Sequence, residues 1–142
     1  MKLAKAVLDT NVVVSAFLSR RGASYDLLSA AASGAFEMLA SPTLFLEYEE
    51  VLKRPEIRLS SGMSLRKIDR TLRDIAAIVV PVELHYSWRP QLRDPDDEMV
   101  LEAAVNGGAE AIVTFNVKDF EPAQGFNILA MTPQKFLKRI KR

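Results

Sequence analysis

The sequence predicts an α/β domain, a three-layer sandwich in which helices cover both faces of a central, mostly parallel five-stranded sheet. Short apolar runs alternate along the chain with segments whose apolar residues recur every three or four positions. The short apolar runs are typical of buried strands, and the spacing of three or four is typical of helices. Parallel neighbours need crossover connections, and this alternation supplies them. The length of 142 residues, with 49% hydrophobic and 26% charged, is ordinary for one globular domain, so residues 1–142 are assigned to a single domain.

The strands are predicted where a short apolar run ends at turn or capping residues. The predicted ranges are 3–8, 36–40, 78–82, 111–114 and 127–130. The third range contains Pro81, which cannot donate to a sheet ladder, so this strand is expected to be short and at the margin of the sheet.

Helix starts are marked by residues whose side chains can cap the first turn. The predicted caps are Ser24, Ser41, Ser64, Asp94 and Thr132. In the helix that follows Ser64, the residues expected to face inward are Leu65, Ile68, Leu72, Ile75 and Ala76. Residues 56–63 are predicted to be a connector with one short helical turn, and residues 84–92 a loop.

The composition excludes several kinds of site. The chain has no cysteine, which excludes disulfides, thiolate zinc sites and iron–sulfur clusters, and its single histidine, His85, excludes a histidine metal cage within one chain. The longest apolar run, residues 75–82, is far below the roughly 20 residues that cross a bilayer. A cytoplasmic protein without a membrane segment is expected.

The net charge of +1 conceals an uneven distribution. Residues 93–121 carry eight acids against Arg93 and Lys118, which predicts a cation site. Residues 53–73 carry seven bases against two acids, which predicts contacts with a polyanion.

Polar side chains follow two of the predicted strands, at the point where each strand ends. Asp9 and Asn11 follow the first strand, and Thr114 and Asn116 follow the fourth. In doubly wound sheets, ligands bind beyond the carboxyl ends of the strands, so we expect these side chains to share one rim.

Two further carboxylates are expected at this rim. Asp97 lies at the start of the helix before the fourth strand, and Glu47 lies in the third helix, three residues after Leu44 and four before Val51. Buried carboxylates without a lysine or arginine among them indicate a divalent cation, and oxygen ligands favour Mg²⁺ or Mn²⁺. Two structural roles compete: Asp9 could cap the following helix, and Asp96 is assigned to the helix dipole.

Four segments, taken together in chain order, resemble the PIN-domain family over nearly the whole chain. They are Leu8-Asp9-Thr10-Asn11-Val12, Leu46-Glu47-Tyr48, Asp94-Pro95-Asp96-Asp97 and Val113-Thr114-Phe115-Asn116. The chain is most similar to the short stand-alone prokaryotic members, many of which are toxin ribonucleases of toxin–antitoxin pairs. The resemblance implies strand order 3-2-1-4-5, hydrolysis of single-stranded RNA with Mg²⁺ or Mn²⁺, a small antitoxin protein as partner, and a homodimer.

The resemblance also implies roles for individual residues. Asp9, Glu47 and Asp97 match the three acids of the family's catalytic and metal site. The family commonly has a fourth acid where this chain has Asn116, whose amide oxygen can ligate a metal but adds no charge; Asp119 is the alternative. The supporting polar wall comprises Asn11, Ser15 and Thr114, and the residues expected to bind RNA are Arg20, Arg21, Arg66, Lys67, Arg70 and Arg73.

Three functions from other classes are alternatives to a metal-dependent ribonuclease. A PIN-like module that binds RNA or protein without hydrolysing RNA stays open, because Asn116 replaces an acid. A phosphatase of the haloacid-dehalogenase type would need a second acid two residues after Asp9, and that position is Asn11. A dinucleotide-binding fold is disfavoured because no Gly-x-Gly-x-x-Gly follows the first strand.

Overall fold

The computed structural model describes residues 2–87 and 89–141, within which five strands form a fully parallel sheet in the order β3-β2-β1-β4-β5. The strands are β1 Lys5–Leu8, β2 Glu37–Ala40, β3 Val80–Pro81, β4 Ala111–Val113 and β5 Leu129–Met131. The predicted α/β sandwich and its strand order are confirmed. As expected from Pro81, β3 is a short edge strand.

The helices lie between the strands and follow the last one. They are α1 Thr10–Leu18, α2 Ala23–Ala32, α3 Pro42–Leu52, α4 Pro55–Ser61, α5 Leu65–Ile78, α6 Pro95–Gly107, α7 Pro133–Ile140 and a 3₁₀ helix, Val117–Phe126. Ser41, Ser64 and Thr132 each accept a hydrogen bond from the backbone N–H three residues later, as predicted for caps. Among the residues described, no helix combines the length and the apolar character that a membrane span needs.

Three local predictions are wrong for identifiable reasons. Gly22, not Ser24, precedes the first turn of α2, and Ser24 is buried inside the helix. The predicted connector 56–63 is mostly the two-turn helix α4, because Pro55 is well suited to a first helical position and the left-handed Gly62 ends the helix. Leu65 and Ala76 are exposed, because the buried stripe of α5 is only Ile68, Leu72 and Ile75.

The last strand begins later than predicted. The 3₁₀ helix extends the predicted turn to Phe126, and Asn127 ends it with a left-handed backbone at φ 61°. Asparagine tolerates this conformation better than most residues do. Pairing with β4 therefore begins at Leu129, two residues after the predicted start.

Strand β1 occupies the centre of the sheet. Val7 lies opposite Leu39 of β2 on one side and opposite Ile112 of β4 on the other. All three residues are buried, as expected for a parallel sheet covered on both faces. The residues that follow β1 and β4 therefore emerge side by side at one rim.

Helix α6 holds the connection before it, residues 82–87 and 89–94, through polar side chains spaced four apart. Glu98 accepts hydrogen bonds from two successive backbone N–H groups of this connection, at 2.6 and 2.7 Å. Glu102 binds the Arg89 guanidinium through bonds of 2.7 and 2.8 Å, and the Oδ1 atom of Asn106 accepts two further N–H groups at 2.9 and 3.0 Å. Two of the acids counted toward a cation site, Glu98 and Glu102, are therefore structural.

We predict that Glu102→Gln lowers the free energy of unfolding at pH 7 by about 1–3 kcal/mol, because it removes the charge that holds Arg89. The Arg89 hydrogen bond holds the pKa of Glu102 below its usual value of 4.5. A lowered folded-state pKa stabilises the protein above the unfolded value, and this stabilisation is lost as pH falls through the folded value. The difference between variant and wild type should therefore shrink in strong acid.

The measurement is urea unfolding of both proteins at pH 7 and at pH 3. Glu110→Gln is the matched control, because Glu110 pairs with Arg139 with both side chains more than 40% exposed, whereas Glu102 is 8% exposed. The control should cost less than about 1 kcal/mol. Equal losses in the two variants would contradict a structural role for the Glu102–Arg89 pair.

Candidate active site

A cleft of about 380 Å³ opens at the carboxyl ends of β1 and β4. Its lining residues are Asp9, Thr10, Asn11, Val14, Ser15, Leu18, Glu47, Val51, Arg54, Asp96, Asp97 and Asn116. Six residues expected at one rim line this cleft: Asp9, Asn11, Ser15, Glu47, Asp97 and Asn116. Thr114, also expected there, is fully buried and does not line it.

Asp9 joins the two central strands to the first helix. Its backbone N–H donates to the Val113 carbonyl at 2.9 Å. Its Oδ1 accepts from the Thr10 backbone N–H at 2.8 Å, and its Oδ2 accepts from the Thr114 hydroxyl at 2.7 Å. Asp9 is only 7% exposed, and it caps α1 as the sequence allowed. It therefore has a structural role and also lines the cleft.

Glu47 reaches the cleft from α3. Its Oε2 accepts a hydrogen bond from the Thr10 hydroxyl at 3.0 Å. The next residue, Tyr48, is fully buried, and its hydroxyl donates to the Leu8 carbonyl at the end of β1. This bond joins α3 to the end of β1, directly before Asp9. It therefore fixes the position of α3, and of Glu47 on it, relative to Asp9.

Burial and mutual repulsion shift the carboxyl groups toward their neutral forms. The pKa of Asp97 rises from 3.8 to about 7, first because of burial and then because of the charge of Asp9. Burial also raises the pKa of Asp9, against the hydrogen bonds from Thr114 and Thr10, and it raises the pKa of Glu47. These shifts are expected of carboxylates that meet without enough positive charge.

Asn116 and Asp119 occupy different places. Asn116 lies on the wall of the cleft, and its backbone N–H donates to the Thr114 hydroxyl oxygen at 3.0 Å. Asp119 is exposed and lines a neighbouring cleft of about 1000 Å³, although its charge still raises the pKa of Asp9 and of Asp97. Asn116, and not Asp119, is therefore the residue of this pair that lines the cleft.

Sequence reasoning misplaced or missed three residues of the cleft. Asp94 caps α6 by accepting the Asp96 N–H, whereas Asp96, assigned to the helix dipole, also lines the cleft. The sequence predicts no separate role for Thr10, which lies between Asp9 and Asn11, but its hydroxyl donates a hydrogen bond to Glu47. Arg54 also lines the cleft, so the expectation that no arginine or lysine stands among the acids is wrong. The helical spacing of Glu47, Val51 and Arg54 was the signal available.

A family model described as PIN domain matches residues 5–118. The chain belongs to the PIN domain family. PIN domains are generally nucleases that hydrolyse nucleic acids, and they typically bind divalent metal ions. The match begins at β1 and extends past Asn116, so it contains the whole cleft. A comparison with curated proteins gave no match.

The donor atoms in the cleft of this PIN domain fit a hard divalent ion. Every candidate ligand is an oxygen, as Mg²⁺ and Mn²⁺ prefer, and the carboxyl groups repel one another when no cation is present. In the described part of the chain, the Oδ1 atom of Asn11 is buried and makes no hydrogen bond, and no three Asp, Glu or His side chains form a ready-made metal cluster. Water or a phosphate would complete such a coordination shell.

The basic residues expected to bind RNA lie elsewhere on the surface. Arg20, Arg21, Arg66, Lys67, Arg70 and Arg73 are exposed, and none of these six lines the cleft. Arg20 and Lys67 share a groove of about 560 Å³ between α1, α2 and α5, and Arg73 lines a separate depression with Asp69. Contacts from these residues would involve parts of an RNA strand outside the cleft.

We predict that Asp97→Asn stabilises the metal-free protein at pH 8 but not at pH 4. The folded pKa of Asp97, about 7, exceeds the unfolded value near 3.8, so the native state binds more protons between these values. The repulsion that a charged Asp97 adds to the folded state is therefore absent below pH 4. It grows as pH rises toward about 7 and is constant above that. Because partial exposure screens the repulsion, we expect a gain of about 1 kcal/mol at pH 8.

Urea unfolding in the presence of EDTA, at pH 4, 6 and 8, measures this difference. Asp74→Asn on α5 is the control, because Asp74 is an exposed aspartate that lies outside the cleft. A difference between Asp97→Asn and wild type that stays constant across the three pH values would contradict the prediction.

Proposed function

We propose that this PIN domain is an endoribonuclease that hydrolyses single-stranded RNA with Mg²⁺ or Mn²⁺. The observation that carries the proposal is the meeting of Asp9, Glu47 and Asp97 in one cleft, each from a different element. Single-stranded RNA as the substrate is proposed from the resemblance of the sequence to stand-alone prokaryotic PIN proteins.

Asp9, Asp97, Glu47 and the amide oxygen of Asn116 are the groups that would hold the ion. A divalent ion in such a site polarises a phosphodiester and makes water more acidic. Thr10 and Thr114 fix the carboxylates of Glu47 and Asp9 by donating their hydroxyl protons. Two of the three carboxylates are therefore oriented before any substrate enters.

Glu47 is proposed as the proton acceptor for the attacking water. Burial raises its pKa, which brings the group nearer to neutrality and makes it a better base. Its Oε2 is held by Thr10, and its other carboxylate oxygen, Oε1, has no hydrogen bond among the described residues. The Thr10 bond thus orients the Glu47 carboxylate and leaves Oε1 for the ion or for the attacking water.

A biological role as the toxin of a toxin–antitoxin pair is part of the proposal. Its support is the resemblance to short stand-alone prokaryotic members, for which a small antitoxin protein is the expected partner. A homodimer and a cytoplasmic location belong to the same proposal. Co-expression with the product of an adjacent small reading frame tests it: the partner should co-purify and suppress RNA cleavage.

Cleavage of a fluorescent single-stranded RNA, with Mn²⁺, Mg²⁺ or EDTA, tests the nuclease activity. We expect Asp9→Asn and Asp97→Asn each to lower the rate by about 10²–10⁴-fold, because each removes a charged oxygen from the reaction site. Glu47→Gln should lower kcat more than it weakens Mn²⁺ binding. Asp74→Asn should cleave like the wild type.

Two outcomes would change the conclusion. Equal cleavage by Asp9→Asn and wild type would contradict the assignment of the cleft. RNA that the wild type binds but leaves intact with either metal would favour the non-hydrolytic binding module, which the uncharged Asn116 supports.

A further inference from the structure

Arg54 brings a positive charge into a cleft dominated by acids. Among the described residues that line the cleft, four are carboxylates and Arg54 is the sole cation. An RNA strand carries a negative charge at every phosphate, so an acidic cleft repels the substrate that it must bind. A guanidinium on the wall of the cleft opposes this repulsion close to the acids.

The backbone of Arg54 is fixed between two helices. Its N–H donates to the Val51 carbonyl at 3.2 Å, and its own carbonyl accepts from the N–H groups of Ile57 and Arg58, both at 3.0 Å. Pro55, which follows, restricts the backbone further. The side chain therefore starts from a defined point at the junction of α3 and α4.

The guanidinium keeps donors for a ligand. Its Nη2 atom contacts the two carboxylate oxygens of Glu50 at 3.1 and 3.3 Å, and this pair is at the rim, with Arg54 47% and Glu50 62% exposed. The Nε and Nη1 atoms of Arg54 make no hydrogen bond within the described residues. A guanidinium presents five N–H groups in a planar fork that matches phosphate oxygens.

The neighbouring lysine shows a different arrangement. The Nζ atom of Lys53 is 2.7 Å from Glu49 and 2.7 Å from Asp69 of α5, and Lys53 does not line the cleft. The two successive cations after α3 therefore have different contacts. Lys53 joins the end of α3 to α5, and Arg54 lines the acidic cleft.

We propose that Arg54 is the phosphate-binding residue of the cleft. Its N–H groups hydrogen-bond the phosphodiester of an RNA strand that lies over Asp9, Glu47 and Asp97, and thereby position that phosphate. The exposed pair with Glu50 orients the guanidinium before RNA arrives. The inference rests on the proposed function and adds to it the group that holds the substrate.

The first experiment measures RNA binding without metal, in EDTA, by fluorescence anisotropy of a labelled single-stranded RNA. We expect Arg54→Ala to raise the Kd roughly tenfold and to reduce the slope of log K against log salt by about one. Arg54→Lys keeps the charge but loses the fork, so it should recover only part of the affinity. Lys53→Ala, the matched control, should stay within about twofold of the wild type.

The second experiment measures kcat, KM and Mn²⁺ affinity for the same variants. Arg54→Ala should raise KM, whereas calorimetry should show Mn²⁺ bound as tightly as before or more tightly, because a competing positive charge is gone. A merely structural role would weaken RNA and Mn²⁺ binding together.

The failures can be told apart. Equal RNA affinities for Arg54→Ala, Lys53→Ala and wild type, with cleavage intact, would overturn the role of Arg54 alone. Absence of cleavage by the wild type would overturn the nuclease proposal, and the Kd in EDTA would then still decide whether Arg54 binds RNA. A wild type that neither cleaves nor binds RNA would overturn both.

Discussion

The buried hydrogen bond between the Thr114 hydroxyl and the Asp9 carboxylate is the interaction on which the site depends. It joins the end of β4 to the end of β1, which is the central strand of the sheet. The same carboxylate accepts the Thr10 N–H, so the start of α1 is fixed too, and the Thr10 hydroxyl then holds Glu47. One ionisable group thus connects the fold to the candidate cleft, and burial raises its pKa.

The acids of this protein divide according to their partners. Glu98 and Glu102 are buried, but backbone N–H groups hydrogen-bond Glu98 and the Arg89 guanidinium pairs with Glu102, so both acids stabilise the connection before α6. Asp97 lies near other carboxylates instead, and its pKa rises to about 7. A carboxyl group whose pKa is raised by burial and by neighbouring acids in a cleft is a candidate for ligand binding, whereas a hydrogen-bonded buried acid fits a structural role.

Most elements that follow from local rules could be predicted from the sequence, although α4 was missed, whereas the direction of side chains was predicted only in part. Capping by Ser41 and Ser64 depends on a few adjacent residues, and Pro81 alone places β3 at an edge. The positions of Arg54 and Asp96 depend on how α3 and α6 are rotated against the sheet, which periodicity defines only coarsely. The acids between residues 93 and 121 therefore predicted a single cation site, although Glu98 and Glu102 instead hydrogen-bond the connection before α6.

The central proposal is that Asp9, Glu47 and Asp97 together hold a divalent cation, and proton release tests it most directly. Because Asp97 is substantially protonated below its pKa of about 7, an ion that binds there must displace that proton. Calorimetric titration with Mn²⁺ in two buffers of different ionisation enthalpy should show release of between about half and one proton per ion at pH 6.5. The release should decline toward pH 8.5, and at equal Mn²⁺ occupancy it should be smaller in Asp97→Asn. Mn²⁺ binding without proton release at pH 6.5, or no Mn²⁺ binding at either pH, would contradict the account.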